Sequence, residues 1–255
     1  MKTITLNYDA IHSGNLILVN AHHPCRDSIT ERTLSPVNTD TDKVLLDRDA
    51  LSSLSCLMDK LNGWGQIVAV SGWRSMREQT EIYTDSLKDN GRTFTEKYVA
   101  HPGHSEHQTG LAIDLALKQD HIDFICPDFP YTGICQTFRQ DAVSYGFIER
   151  YPENKENITG IAHEPWHFRY VGVPHAEIMV KHGFVLEEYI SFLKNYPHGK
   201  TRYFHKTKDK CIAVSYLEAN RTADTQLEID DNVPYSVSGN NIDGFVIAEY
   251  LCCPQ

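Results

Sequence analysis

Apolar residues recur along the chain in two kinds of pattern, one typical of helices and the other of strands. Between residues 49 and 63 they fall every three or four positions, which predicts an amphipathic helix that ends at Gly63. Two short runs that are rich in apolar and β-branched residues, 66–70 and 110–117, predict buried strands. The first part of the chain therefore combines helices with strands.

A helix start is marked clearly after the first of these strands. Ser75 and Glu78 have the spacing of a capping box, which predicts a helix that runs to about Asn90 and stops at Gly91. Further elements are predicted on the same grounds: a helix over 136–145, a strand over 167–171, a helix that begins at Pro174 and ends near Gly183, and a helix over 187–194.

The pattern changes near residue 196. Short strand-like runs then alternate with polar turns, at 202–205, 212–216, 226–229, 235–238 and 244–250. We therefore predict a main domain over residues 1–195 and a small β-rich subdomain over 196–255. Its role stays open between binding cell wall, forming a homodimer and supporting the main domain.

Composition narrows the functional classes. The 255 residues carry a net charge of −10, and no run of Lys and Arg offers the basic patch that nucleic-acid phosphates need. Neither a signal-peptide core nor an apolar run of membrane-spanning length is visible, so we expect a cytoplasmic protein with no membrane insertion. The cysteines are odd in number and lack a C-x-x-C pair, as expected of reduced thiols: Cys25, Cys56, Cys126, Cys135, Cys211, Cys252 and Cys253.

Residues that can bind a metal are concentrated in two short segments. The first is HPGHSEH over 101–107, with Asp114 following, and the second is HEPWH over 163–167. A catalytic zinc ion takes three protein ligands and leaves a fourth position for water. Two ligands from the first segment and one from the second would complete such a set.

The second segment matches the H-E-x-x-H pattern of helical zinc peptidases, but its local chemistry argues against that geometry. Both histidines would have to lie on one face of a continuous helix. Pro165 interrupts that helix, at a cost of about 3 kcal/mol, and the residues after it resemble a strand. We therefore expect His167 to bind the metal, Glu164 to lie beside the bound water across a turn, and His163 to point away.

Alternation predicts which way Asp114 faces. In its strand, Leu111, Ile113 and Leu115 occupy one side, so the Asp114 carboxylate lies on the other. Gly110 lets the backbone pass closely between the histidine segment and this strand.

Three segments together resemble the signature of the LAS family of zinc peptidases, which contains VanY-like D,D-carboxypeptidases and VanX-like D-Ala-D-Ala dipeptidases. They are S-x-H-x-x-G-x-A-x-D over 105–114, E-x-x-H over 164–167, and S-G-W-R-S over 71–75 with Gln79 following. Their order is the family's order, and the resemblance covers roughly residues 15–190.

This resemblance implies an α+β fold in which helices flank a central antiparallel sheet. Its activity would be zinc-dependent hydrolysis of D-Ala-D-Ala and of peptidoglycan precursors that end in it, most similar to the bifunctional VanXY type of vancomycin resistance. The implied roles are zinc ligands at His107, Asp114 and His167, a general base at Glu164, an oxyanion-stabilising cation at Arg74, and substrate contacts at Ser105 and Gln79.

Other interpretations stay open at this stage. The protein can instead be another cell-wall endopeptidase, or a zinc-binding recognition module without catalysis. Arg74 can pair with Glu78, Gln79 can be a buried structural amide, and we expect His101 and His104 to be ordinary loop histidines. We also expect the loop over 118–133 to help set substrate preference, with Asp120, Asp123 and Asp128 near a substrate amine.

Overall fold

The computed structural model describes residues 1–26, 34–38 and 41–251, so Cys252 and Cys253 lie outside the described residues. The chain folds as two compact units, Val19–Val185 and Met1–Leu18 with Leu186–Gln255. The helices are α1 (Arg48–Leu61), α2 (Met76–Asn90), α3 (Arg92–Tyr98), α4 (Gly133–Ala142), α5 (Glu156–Thr159), α6 (His175–His182) and α7 (Leu186–Leu193). The strands are β1 (Lys2–Leu6), β2 (Leu34–Asn38), β3 (Thr41–Asp47), β4 (Ile67–Ser71), β5 (Ala112–Leu117), β6 (Phe147–Tyr151), β7 (Glu164–Tyr170), β8 (Tyr203–Lys206), β9 (Cys211–Glu218), β10 (Thr225–Ile229), β11 (Tyr235–Gly239) and β12 (Gly244–Leu251).

The unit Val19–Val185 is built on a four-stranded sheet in the order β4-β5-β7-β6, with every neighbouring pair antiparallel. Strand β5 lies inside this sheet, which explains its nearly continuous apolar sequence. Helix α1 packs on the β2–β3 hairpin and on α4 through its buried stripe. The predicted α+β class is confirmed.

Several predicted helix boundaries need correction. Helix α4 begins at Gly133 rather than at Gln136, and α6 begins after Pro174 rather than at it. Helix α1 ends one residue earlier than expected, because Asn62 rather than Gly63 adopts the left-handed conformation, with φ of 49°. Asparagine tolerates this region of φ and ψ better than most residues with a side chain. The capping box at Ser75 and Glu78 is present as predicted, and both of its hydrogen bonds form.

The second unit contains the predicted β-rich region, with a four-stranded sheet in the order β11-β12-β9-β8. It differs from the predicted domain of 196–255, because it also takes in α7 and the N-terminal residues. Strand β1 pairs antiparallel with β10, about 220 residues later, and its apolar face packs on the cluster around Leu227 and Phe245. None of the helices in the described residues is both long and apolar enough to cross a membrane.

Candidate active site

Two of the predicted ligands are brought together by strand register. Asp114 of β5 lies directly opposite His167 of β7. Residues that pair in this way project from the same face of a sheet, so their side chains are neighbours. Ile113 and Leu115, on either side of Asp114, are fully buried. Asp114 therefore faces the site as the alternation predicts.

The third ligand reaches the same face from a 3-10 turn, Glu106–Thr109, which leads into β5. His107 lies in this turn, and Gly110 ends it in the left-handed conformation, with φ of 69°. A Cβ atom at Gly110 would lie 2.9 Å from Cδ2 of Leu34. The close backbone passage expected at Gly110 is therefore present, and it delivers His107 to the sheet.

His107, Asp114 and His167 form a compact donor set with ligand atoms within 4.8 Å of one another. Nε2 of His107 lies 3.1 Å from Oδ2 of Asp114, and Nδ1 of His167 lies 3.0 Å from Oδ1. Among the described residues, Oδ1 is buried without an aligned hydrogen-bond partner. Atoms that face a common cation, rather than each other, have this arrangement. Two imidazoles and a carboxylate are ligands typical of catalytic zinc.

Hydrogen bonding fixes which nitrogen of His107 faces the donor set. Its Nδ1 lies 2.7 Å from the carbonyl oxygen of Gly72. A carbonyl only accepts, so Nδ1 carries the proton and Nε2 presents a lone pair toward Asp114. Burial, assisted by the charge of Arg74, lowers the pKa of His107 to about 4, which keeps the ring in the neutral form that binds metals.

The pKa values of the two carboxyl groups in the site are shifted in opposite directions, down for Asp114 and up for Glu164. Burial opposes ionisation of Asp114, but the two histidines hold its pKa well below the usual range. Although burial opposes protonation of His167, the Asp114 and Glu106 carboxylates raise its pKa to about 9. Burial raises the pKa of Glu164 to about 8. A bound cation would favour the ionised carboxylate at Glu164 and the neutral ring at His167.

The turn that we expected between Glu164 and His167 is absent, because both residues belong to strand β7. An irregularity in the pairing of this strand brings their side chains to the same side. The pairing of β6 with β7 shifts register next to Tyr151, which pairs with Glu164. Without this shift, residues three apart would face opposite sides of the strand. Oε2 of Glu164 lies 3.6 Å from Nδ1 of His167. His163 points away from the triad, as predicted, and its Nε2 lies 2.7 Å from the Tyr131 hydroxyl.

Arg74 points into the site rather than toward Glu78. Its guanidinium donates to Asp114 Oδ2 at 2.9 Å and to Ser71 Oγ at 2.8 Å. Glu78 is occupied at the helix start, where it accepts from the Ser75 backbone. The cation therefore lies beside the donor set.

The two residues predicted to touch substrate differ in position. Ser105 is buried and lines the cavity in front of the triad. Gln79 is fully buried, accepts from Arg74 at 3.4 Å and donates to the Ala100 carbonyl at 2.8 Å. Both ends of its amide are engaged, which favours the structural interpretation, in which Gln79 orients Arg74.

The loop over 118–133 contributes Phe124 and Ile125 to the cavity, which has a volume of about 40 Å³. Of its acidic residues, Asp123 accepts from the backbone amides of Ile125 and Cys126, so its carboxylate stabilises the loop's own turn. This placement supports a role for the loop in shaping the cavity through apolar side chains.

Some residues around the site have no counterpart in the sequence-based predictions. Glu106 is buried beneath His167, where it accepts from Arg150 at 2.8 Å and lies 2.9 Å from Arg169. The ring of Tyr151 lies 4.9 Å from that of His167. The position of Glu106 inside the histidine segment was the one available signal. The arginines come from β6 and β7, whose register no local pattern reveals.

His101 and His104 lie outside the triad, as expected. Nδ1 of His104 lies 2.7 Å from the Asn20 carbonyl oxygen, and Nδ1 of His101 lies 3.1 Å from that of Pro102. Both therefore have the backbone partners of loop histidines.

Comparison with known proteins identifies relatives over most of the chain. The family model described as VanY, D-alanyl-D-alanine carboxypeptidase, matches residues 43–173. The chain is 41% identical, over 181 residues, to the bifunctional D-Ala-D-Ala dipeptidase and D-Ala-D-Ala carboxypeptidase VanXYC of Enterococcus gallinarum. That match covers 71% of this chain and 95% of the relative.

Solved structures agree with this relationship. The vancomycin resistance D,D-dipeptidase VanXYg, in complex with a D-Ala-D-Ala phosphinate analog, matches with a TM-score of 0.94 and 50% identity, over 98% of this chain and 99% of that one. The vancomycin resistance D,D-pentapeptidase VanY, a mutant in complex with Zn(II), matches with a TM-score of 0.55 and 32% identity, over 69% and 98%.

Proposed function

The chain belongs to the VanY family of D-alanyl-D-alanine carboxypeptidases, and from that membership we propose that it is a zinc D,D-peptidase of bifunctional type. It hydrolyses D-Ala-D-Ala and also removes the terminal D-Ala of peptidoglycan precursors, and so contributes to vancomycin resistance. The observation that carries the proposal is the buried His107, Asp114 and His167 donor set, with Glu164 and Arg74 facing the same cavity.

We assign the three donors as the zinc ligands, since their number and type suit a catalytic zinc ion with an open coordination position. Bound there, zinc would supply a Lewis acid and lower the pKa of a coordinated water. The neutral Nε2 of His107 and the ionised Asp114 have the protonation states that this role needs.

Glu164 acts as the proton carrier of the reaction. Its carboxylate accepts a proton from the attacking water and returns it to the leaving amine of the terminal D-Ala. This carboxylate is only 5% exposed, and burial raises its pKa, which strengthens it as a proton acceptor. Arg74 donates to the scissile carbonyl oxygen as negative charge develops on it. Gln79 holds the guanidinium in position for this contact.

Discrimination between the dipeptide and the longer precursor depends on the amino side of the substrate. The dipeptide carries a free amine, whereas a longer precursor continues as a peptide chain at the same place. We assign this discrimination to the loop over 118–133, because Phe124 and Ile125 line the cavity. Ser105 remains the candidate for a direct substrate contact.

We infer that Val19–Val185 is the catalytic unit, because every residue assigned a role here lies within it. We also propose that the enzyme works in the cytoplasm. The thiols of Cys56, Cys126, Cys135 and Cys211 are free, which suits a reducing compartment. Fractionation of cells that produce the tagged protein tests this location directly; recovery outside the cytoplasm would contradict it.

The activity is tested with metal-depleted protein and with protein reconstituted with one equivalent of zinc. Each is incubated with D-Ala-D-Ala and, separately, with a pentapeptide precursor that ends in D-Ala-D-Ala, and released D-Ala is quantified. We expect zinc-dependent release from both substrates. Release from only one would refute the bifunctional assignment, and release from neither would refute the proposed function.

A further inference from the structure

The proposed base has little to hold its side chain in place. Among the residues that the structure describes, no side chain hydrogen-bonds to the Glu164 carboxylate. Nδ1 of His167 lies 3.6 Å away, which is beyond hydrogen-bond distance. The position of this carboxylate therefore depends on the residues before and after it in the chain.

The residue after the base is held by Arg139 of α4. One terminal nitrogen of its guanidinium donates to the Pro165 carbonyl at 2.9 Å and to the Phe129 carbonyl at 3.2 Å. The other terminal nitrogen donates to the Pro130 carbonyl at 3.4 Å. A single rigid fork thus joins the backbone next to Glu164 to the end of the loop that lines the cavity.

His163, the residue before the base, is held by Tyr131, which directly follows the two loop residues that Arg139 contacts. The Tyr131 hydroxyl donates to Oε1 of Glu149 at 2.6 Å and lies 2.7 Å from Nε2 of His163. A phenol has one proton to give, so Nε2 of His163 carries its own proton and donates to the Tyr131 oxygen. Oε2 of Glu149 accepts from Nε of Arg139 at 2.6 Å.

These contacts close into one network of four side chains, Tyr131, Arg139, Glu149 and His163, which we name the Tyr131 network. The guanidinium carbon of Arg139 also lies 3.9 Å from the centre of the Tyr131 ring. Arg139 and Glu149 are each 12% exposed, so their charged contact is largely shielded from water. None of the four belongs to the metal donor set.

We propose that the Tyr131 network positions Glu164 for proton transfer and couples it to the loop over 118–133. The network fixes the chain at His163 and at Pro165, on both sides of the base. It fixes the loop through Tyr131 itself and through the carbonyls of Phe129 and Pro130. The inference rests on the proposed role of Glu164, and the four residues act through that carboxylate rather than on substrate.

The first test removes one hydroxyl. Tyr131→Phe keeps the ring over Arg139 but breaks the link between Glu149 and His163. We expect kcat for D-Ala release from D-Ala-D-Ala to fall by about tenfold or more, because small displacements of a reacting group cost large factors in rate. KM should change by a smaller factor than kcat, because the four side chains act through Glu164 and only indirectly on the loop that lines the cavity. Tyr8→Phe is the matched control.

A second variant guards against a folding defect in the first. Arg139→Lys keeps the charge but loses the fork that holds three carbonyls, and we expect the same fall in kcat at unchanged zinc content and Tm. Arg92→Lys, at an exposed ion pair in α3, is its control. A merely structural role would lower zinc content or Tm along with the rate, and that result in both variants would overturn the inference.

The decisive step is a double-mutant cycle with Glu164→Gln. If the network acts through the carboxylate, adding Tyr131→Phe or Arg139→Lys to Glu164→Gln should change the residual rate by less than about twofold. Losses that multiply would overturn the inference, as would wild-type kcat in both single variants. A wild-type enzyme that releases no D-Ala would instead refute the proposed function.

Discussion

Charge balance among single residues decides what the site can bind. Asp114 is shared between Arg74 and the two histidines, and its pKa is held well below the usual range. His107 is kept neutral, whereas His167 lies between two carboxylates that favour its protonated form. A cation that enters the donor set therefore competes with a proton at one ligand only.

This competition predicts a pH dependence of zinc binding. The pKa of His167 is raised to about 9, so the metal-free protein holds a proton there below that pH. Zinc must displace it, and the apparent affinity should rise about tenfold per pH unit as the pH rises from about 6 to 8. Chelator competition at several pH values measures this slope. An affinity that is constant over the range would contradict the assignment.

The role of Arg74 gives a second prediction at this scale. Arg74→Ala removes the guanidinium proposed to stabilise the scissile carbonyl oxygen, and kcat/KM should fall by about 10²–10³. Zinc content should be unchanged, because Arg74 is not a ligand. Arg77→Ala, on the exposed side of α2, should keep wild-type activity. Activity within threefold of wild type for Arg74→Ala would rule out the oxyanion role.

Residue types and spacing predicted two metal-binding segments, and the resemblance to the LAS family supplied the individual roles of ligands, base and cation. The structure brings these residues together in one cavity. The sequence did not predict how Glu164 and His167 meet, since the register shift opposite Tyr151 depends on strand pairing. Nor did it predict Glu106, because a carboxylate is buried only when partners such as Arg150 and Arg169 reach it from other strands.

At the scale of elements, the turn before β5 is sensitive to a small change. Gly110 combines a positive φ of 69° with a neighbour, Leu34, that a Cβ atom would meet at 2.9 Å. Gly183 has a similar φ of 65° and nothing within 4 Å of a Cβ position. Alanine variants at the two glycines therefore distinguish the free-energy cost of backbone strain from that of steric conflict.

We expect Gly183→Ala to lower the free energy of unfolding by about 1 kcal/mol, the cost of a left-handed residue with a side chain. Gly110→Ala should cost about 1–3 kcal/mol more, because the Leu34 side chain or the backbone must move. Its zinc affinity should fall as well, since the turn carries His107. Urea unfolding and zinc titration measure both. Equal costs at the two positions would refute the steric argument.

Elements with a strong local signal were predicted well, and those without one were missed. The capped helix α2 and the apolar strand β5 follow from short-range rules. Strand β6, with the sequence FIERY, was not predicted, because its charged Arg150 hides the strand pattern until its partner is known. The end of α1 was misplaced because Asn62 and Gly63 both suit a left-handed cap.

For the whole molecule, the division of the chain could not be obtained from local patterns. Strand β1 pairs with β10, and most of the sequence lies between the two strands. Local residue patterns carry no signal for a pairing at that distance. Ile4 and Leu6 pack against the cluster that contains Leu227 and Ile229. The N-terminal strand therefore belongs with the C-terminal β-rich unit.

Deletion of residues 2–6 tests this division. We expect backbone amides of β10 to exchange with solvent deuterium much faster in the shortened protein, because their strand partner and apolar cover are gone. Amides of β4 serve as the internal reference and should exchange as in wild type. Unchanged protection in β10, or faster exchange confined to β4, would favour the division at residue 195 instead.

The central claim is that Glu164 moves the proton in a zinc site formed by His107, Asp114 and His167. The most direct test is the rate of D-Ala release from D-Ala-D-Ala by Glu164→Gln, with one zinc per chain verified, against wild type. The account predicts a fall in kcat of about 10²–10⁴ with zinc retained. A rate close to wild type at full zinc occupancy would mean that another group is the base.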